Sequence, residues 1–362
     1  MNTYFWCLYM AYEKRMKELR EKVAEKGFEA ILMGNEKNIY YFTGFPWEAK
    51  LLVPVDGDSV LLVHPINYEA AKNFAKNVVV KLVKTGEKIE RKIFDMILEK
   101  ALKNVGFDRM DAAEYQRMKD FLKEVKIKSL EDIIWSLRKV KDEDELALIK
   151  RAAELTSRGM KRALETIKPG IKEWEVAAEA EYEMRRFGSS GVAFDTIVCS
   201  GPETAYPHGA LGEREIRDGD FVVVDIGARY RGYCADMTRT VIVGGGTRIQ
   251  KHILETLREA QGMAIKYIRD GVMAKEVDNI ARRFIVENGY GEYFIHNLGH
   301  GVGLDVHEPP TLGPLSKDVL LAGNVVTVEP GIYIPGLGGA RVEDTVLING
   351  EEGAIKLTET NN

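Results

Sequence analysis

FVVVDIGARYRGYCADMTRTVIV, residues 221–243, contains two β-branched runs on either side of a polar turn, and it reads as an antiparallel hairpin. Asp225 closes the first run and Asp236 lies eleven residues further on. A two- or four-residue turn centred on Tyr230 and Arg231 sets the two aspartates directly opposite, with Cβ atoms about 5 Å apart. Bare carboxylates that close repel each other and an apolar sheet solvates neither, so a cation belongs between them. One such pair would more often be strand-end aspartates in solvent, so the weight falls on what the rest of the chain repeats.

The pattern does repeat, in VVTVEPGIYIPGLGGARVEDTVLI, residues 325–348. Glu329 and Glu343 are centred on Gly336 in a three-residue loop, which again places two carboxylates face to face. Between the hairpins lies HNLGHGVGLDVHEPP, residues 296–310, holding His296, His300 and His307 of only six histidines in the chain. Glycines at 299, 301 and 303 allow the backbone to approach a site closely. Four paired acids beside clustered imidazoles make a metal centre. Carboxylate-rich ligation favours Mn, Fe(II), Co or Zn, and the charge suffices for two ions about 3.5–4 Å apart assisting hydrolysis at a carbonyl. His208, in TAYPHGA, is placed to bind substrate or steady a tetrahedral intermediate.

Working outward, the 362-residue length suggests two domains, at about 150 residues each. Residues 13–25 form an amphipathic helix closed by Gly27. Strands follow at 30–33, 39–42, 51–55 and 60–63, with helices near 68–75 and 92–103. The first 125 or so residues therefore read as an α/β domain. The helix opening at KDEDELALIK begins an α+β half with antiparallel hairpins. The order helix, helix, hairpin occurs twice, over 142–243 and 249–348, as in a duplicated domain. With 51 basic against 56 acidic residues, the net charge of −5 offers no footprint for nucleic acid. No apolar run of 18 residues is long enough to span a bilayer. Cys7, Cys199 and Cys234 are too few and too scattered for a disulfide framework, which fits a cytoplasmic setting. Residues 1–12 read as an N-terminal extension and not as a signal peptide. Cys234, two residues before Asp236, either shares its face near the metals or is turned away by a bulge.

PHG, VVVDIGARYRGYCADMTRT, HNLGHGVGLDVHEPP and VTVEPGIYIPGLGGARVEDTV together resemble the pita-bread metallopeptidase family of methionine aminopeptidases, aminopeptidase P and prolidase. The resemblance implies an α/β N-terminal domain over 1–130, with linker. It is followed over 131–362 by an α+β pita-bread catalytic domain, pseudo-duplicated around a curved antiparallel sheet. It implies Asp225 on one metal, Asp236 and Glu343 bridging, and His300 with Glu329 on the other. Glu329 would also shuttle a proton, His208 and His307 would contact the scissile amide and its oxyanion, and Arg341 would pair with a carboxylate of the site or the substrate. Two divalent ions per subunit are implied, manganese or cobalt ahead of iron or zinc. ILMGNEKNIYYFTGFPW resembles the opening of the domain that precedes the catalytic one in prolidase and aminopeptidase P. The implied activity is hydrolysis of Xaa-Pro bonds in a dipeptide or short peptide, by a homodimer in which Tyr41 and Trp47 close the pocket of a partner subunit. Prolidase is the first reading and aminopeptidase P the second, with a creatinase-like amidinohydrolase or a binding protein on the same fold more remote.

Overall fold

The structure, a computed structural model, describes residues 3–209 and 212–360, with the side chains of residues 3–10 and 351 outside that description. Cys7 and most of the extension read at 1–12 therefore lie outside the described side chains. The chain divides into two units, Met1–Arg138 and Lys139–Asn362.

The first unit contains α1 (Thr3–Glu25), β1 (Ala30–Met33), α2 (Glu36–Thr43), β2 (Lys50–Pro54), β3 (Val60–Val63) and α3 (Pro65–Phe74). It continues through β4 (Val79–Leu82), α4 (Ile89–Glu99), β5 (Asn104–Phe107), α5 (Ala112–Phe121), β6 (Lys126–Ser129) and α6 (Glu131–Arg138). Its six strands form one mixed sheet in the order β4-β3-β2-β1-β5-β6, with β2 antiparallel to both neighbours and the other pairs parallel. Leu32, Leu52, Leu62, Ile97 and Val105 are at the centre of its core. One expectation is corrected here: residues 39–42 are not a strand but part of α2. Asn35 accepts hydrogen bonds from the amides of Lys37 and Asn38, and Gly44 at φ 72° ends the helix. Caps at both ends outweigh the β preference of the run Ile39-Tyr40-Tyr41-Phe42.

The second unit opens with α7 (Glu143–Thr166) and α8 (Glu173–Arg186), followed by β7 (Gly191–Val192), β8 (Ile197–Ser200), β9 (Phe221–Ile226), β10 (Ala228–Tyr230), β11 (Tyr233–Cys234) and β12 (Met237–Ile242). The pattern then repeats with α9 (Arg248–Tyr267) and α10 (Ala274–Glu287), followed by β13 (Gly299–Gly301), β14 (Glu308–Leu312), β15 (Val325–Val328), β16 (Gly331–Ile334), β17 (Gly338–Arg341), β18 (Asp344–Ile348) and β19 (Ala354–Lys356). Each half starts at a reciprocal cap, Asp142 with Glu145 and Thr247 with Gln250. Every strand pairing in this unit is antiparallel. Leu155, Val176 and Ala180 pack under Val222, Val224 and Ile226 in the first half. Ile253, Leu257, Val277 and Ala281 do the same under Val326, Val328 and Val346 in the second.

Both hairpins form, and the first is shifted by two positions from its expected register. Its turn is Arg231-Gly232, at φ 48° and 89°, one residue later than expected. Asp225 consequently faces Thr238, and Asp236 stands diagonal to it, two positions nearer the turn. The ladder breaks at Gly227, where a Cβ would clash with Ala235 O. In the second hairpin Gly331 faces Arg341 and Val328 faces Asp344. That register places Glu329 opposite Glu343, as the loop around Gly336 predicts.

Candidate metal centre

The five ligand-type side chains sit where strands break. Asp225 is the next-to-last residue of β9, two before the break at Gly227, Asp236 precedes β12, His300 lies in β13 at a register shift, Glu329 follows β15 and Glu343 links β17 to β18. A break frees a side chain from the regular pleat. All five line one cavity of about 720 Å3, together with His208, His296, His307, Arg341 and the apolar side chains of Phe194, Ile197, Tyr206 and Ile295.

Ligand atoms of Asp236, His300 and Glu343 lie within 4.8 Å of one another. His300 Nε2 is 3.4 Å from Glu329 Oε1 and 3.8 Å from Asp236 Oδ2. Asp225 and Asp236 are 8% and 4% exposed, and each carries a buried Oδ1 that no group among the described residues hydrogen-bonds. Unpaired buried carboxylate oxygens are costly, and a divalent cation satisfies both their charge and their lone pairs. The donor set, four carboxylates and one imidazole, fits hard or borderline ions.

The protonation pattern agrees. Burial first, then the neighbouring Glu343 and Asp225, push the Asp236 carboxyl well above the usual range. Glu343 is raised likewise by burial and by Glu329 and Asp225. Burial carries Glu329 up to about 8. Burial, aided by His307, holds the His300 imidazole down to about 3, so it is neutral and free to ligate. Its Nδ1 lies 3.0 Å from Gly301 O, which leaves Nε2 facing the acids.

Arg341 threads through this cluster. Its Nη2 donates to Asp225 Oδ2 (2.6 Å), its Nε to Thr238 Oγ1 (3.0 Å), and its Nη1 to Tyr333 OH (2.8 Å) and Pro207 O (3.2 Å). Tyr333 OH in turn meets His296 Nε2 at 3.0 Å. Thr238 Oγ1 donates to Glu343 Oε2. The sequence reading did not single out Thr238 or Tyr333. The signal for Thr238 is the corrected register, which places it across from Asp225. His208 and His307 are exposed at the cavity, the His307 ring 4.1 Å from that of His300.

Two side chains take the plainer of the expected roles. Cys234 is buried with Sγ 3.9 Å from Leu304 O and is not among the cavity-lining residues, so the thiol is turned away from the acids. Tyr41 is core and not a reaching aromatic: it is 3% exposed, donates to Leu137 O (3.2 Å) and lies under the Arg15 guanidinium. Trp47 is 43% exposed, edge-on to Phe45 and Phe74.

A model of metallopeptidase family M24 matches residues 147–350, and one of the creatinase/prolidase N-terminal domain matches residues 15–140. The chain is 41% identical over 353 residues to an Xaa-Pro dipeptidase of Pyrococcus furiosus, covering 96% of this chain and 98% of that one. Among solved structures it resembles the prolidase from Pyrococcus horikoshii, with TM-score 0.91 and 38% identity over 96% of this chain and 99% of that one. It also resembles an X-Pro aminopeptidase from Thermotoga maritima, with TM-score 0.88 and 34% identity over 96% and 98%. The likeness spans both units, as the expected arrangement of an α/β domain followed by a pita-bread domain requires. The chain belongs to metallopeptidase family M24 and carries a creatinase/prolidase N-terminal domain ahead of its peptidase domain.

Proposed function

We propose that this chain is an Xaa-Pro dipeptidase, with residues 131–362 as its catalytic domain. Two divalent ions, manganese or cobalt, would be held by Asp225, Asp236, His300, Glu329 and Glu343, with Asp236 and Glu343 shared between them. The observation that carries the reading is one cavity lined by all five ligand-type side chains, two of them with unpaired buried oxygens, in a chain 41% identical to an Xaa-Pro dipeptidase. When bound, the ions supply Lewis acidity and a water of lowered pKa.

The chain's own residues do the rest. Glu329, which lines the cavity beside His300, holds and passes the proton that must reach the proline nitrogen. His208 and His307 hydrogen-bond the scissile carbonyl and its developing oxyanion. Arg341 keeps Asp225 oriented and offsets the repulsion among the acids. An Xaa-Pro bond carries no N–H, so an apolar wall shaped to the ring needs no acceptor at that position.

The test is hydrolysis of Met-Pro, Met-Ala and a Met-Pro-Xaa tripeptide by protein stripped with chelator and reloaded with Mn or Co. Cleavage of Met-Pro alone, restored by metal, is the expected result. Preference for the tripeptide would move the assignment to an aminopeptidase P, a reading favoured by the likeness to the Thermotoga enzyme. The reading extends to a homodimer working in the cytoplasm, and light scattering at twice the 40.7 kDa chain mass checks the first of these.

A further inference from the structure

The two halves of the second unit meet beside the ligand set along β12 and the segment 341–345, and the seam is not an ordinary ladder. Asp236 N donates to Thr345 Oγ1 (3.0 Å), and the same hydroxyl donates to Asp236 O (2.7 Å). Glu343 N donates directly to Thr238 O (3.0 Å). Arg341 N donates to Thr240 Oγ1 (3.0 Å), and that hydroxyl donates to Arg341 O (2.8 Å). The pairs 236–345, 238–343 and 240–341 keep one antiparallel register. A hydroxyl, donor and acceptor at once, stands at each end where a backbone group would pair in a regular ladder. The two threonines come from opposite strands, one from each half. Thr238, Thr240 and Thr345 are all buried.

The seam therefore has one direct bond at its centre and opens by a hydroxyl at each end. At the Thr345 end it pins both main-chain polar groups of Asp236, whose carboxylate otherwise rotates into a cavity with its Oδ1 unpaired. Thr345 is itself fixed, its amide donating to Thr358 Oγ1 (3.0 Å).

We propose that Thr345 is a positioning residue for the metal pair: by holding the Asp236 main chain against the strand that follows Glu343, it sets the separation of the two shared carboxylates. This rests on the ligand assignment proposed above. No other polar group among the described residues is recorded on Asp236 N or O, so loss of the hydroxyl frees both.

The test uses the full-length protein and Co(II) as probe, comparing Thr345→Ala with Thr345→Ser, which differ by the hydroxyl oxygen alone. Affinity and stoichiometry come from chelator competition, and site geometry from the visible absorption of bound Co(II). Thr345→Ala is expected to bind the pair about 10- to 100-fold more weakly with an altered spectrum, while Thr345→Ser stays within about threefold of the parent. If Thr345→Ala does not fold, Thr345→Val, which keeps the side-chain volume, takes its place. A merely structural role would lower the melting temperature of the metal-free variant while folded molecules bound Co(II) like the parent, and that result overturns the proposal. So does a Thr345→Ser protein as weak as Thr345→Ala. A parent that takes up fewer than two ions would overturn the ligand assignment, and this proposal with it.

Discussion

Arg341 Nη2 lies 2.6 Å from Asp225 Oδ2, a buried ion pair formed by a side chain proposed to bind metal. The same guanidinium lowers the proton affinity of Asp236, Glu329 and Glu343. Arg341→Met should therefore let these acids keep their protons to higher pH, and metal must compete with those protons. The expected outcome is a metal-loading curve displaced to higher pH, with binding at pH 7 weaker by about 10- to 100-fold. Loading measured against pH by chelator competition checks this, and an undisplaced curve would refute it.

Stability of the metal-free protein should fall as pH rises above neutrality. His300 and His296 are held down to about 3 and about 4, chiefly by burial. Between those values and the unfolded value of about 6.5 the native state binds fewer protons than the unfolded chain, so their contribution to stability grows with pH. Glu329 has the opposite sign. Its carboxyl stays protonated up to about 8 in the native state, while the unfolded side chain ionises near about 4.3, so stability is lost as pH climbs across that interval. Asp236 and Glu343 act in the same sense. From about pH 6.5 to 8 the acids of this site therefore act without the opposing histidines. Scanning calorimetry should show a falling Tm over that window without metal, reversed by saturating Mn(II). A flat or rising Tm without metal would contradict it.

Histidines of two kinds should separate in the kinetics. His208→Ala and His307→Ala are expected to lose kcat by about 10²- to 10⁴-fold while retaining both ions, because neither is in the ligand set. His300→Ala and Asp236→Ala should lose metal first. Metal content measured alongside Met-Pro turnover distinguishes the two, and loss of metal from His307→Ala would assign that residue to the wrong class.

Lys141 Nζ and Glu308 Oε1 are 2.8 Å apart with both side chains 1% exposed. Lys141→Met leaves a carboxylate buried without its cation, at an expected cost of about 3–5 kcal/mol in urea unfolding. Glu308 follows His307 directly, so kcat should fall with stability. An unchanged unfolding midpoint would show that the pair contributes nothing.

The second hairpin was legible because a three-residue loop around Gly336, at φ 82°, leaves one register open, and Glu329 faces Glu343 as read. The first was misread by two positions. A two-residue hairpin turn with both φ values positive favours glycine at its second place, which puts the centre between Arg231 and Gly232 and not between Tyr230 and Arg231. The five ligand-type residues survive the slip because both aspartates still line one cavity. Of the strands at 79–82, 104–107 and 126–129, none of which was read, NVGF and KIKS carry too little apolar character to announce a strand, whereas VVKL carries the β-branched signal and is an exposed edge strand. Thr238 and the threonine seam depend on contacts between segments about a hundred residues apart, which no local pattern encodes, and Tyr333 is marked only by its contacts to Arg341 and His296.

The threonine seam also says when the site can form. Asp236 and Thr345 are separated by 109 positions, and the one direct backbone bond of the seam joins Thr238 to Glu343 across a similar span. Each half buries its own helix pair on its own strands by contacts closer in sequence, so those cores can condense before the long loop between the hairpins closes. Assembly of the metal site is then expected to come late in folding. An ion that binds across the closed seam would slow unfolding far more than it speeds refolding, turning metal supply into kinetic persistence of the native state.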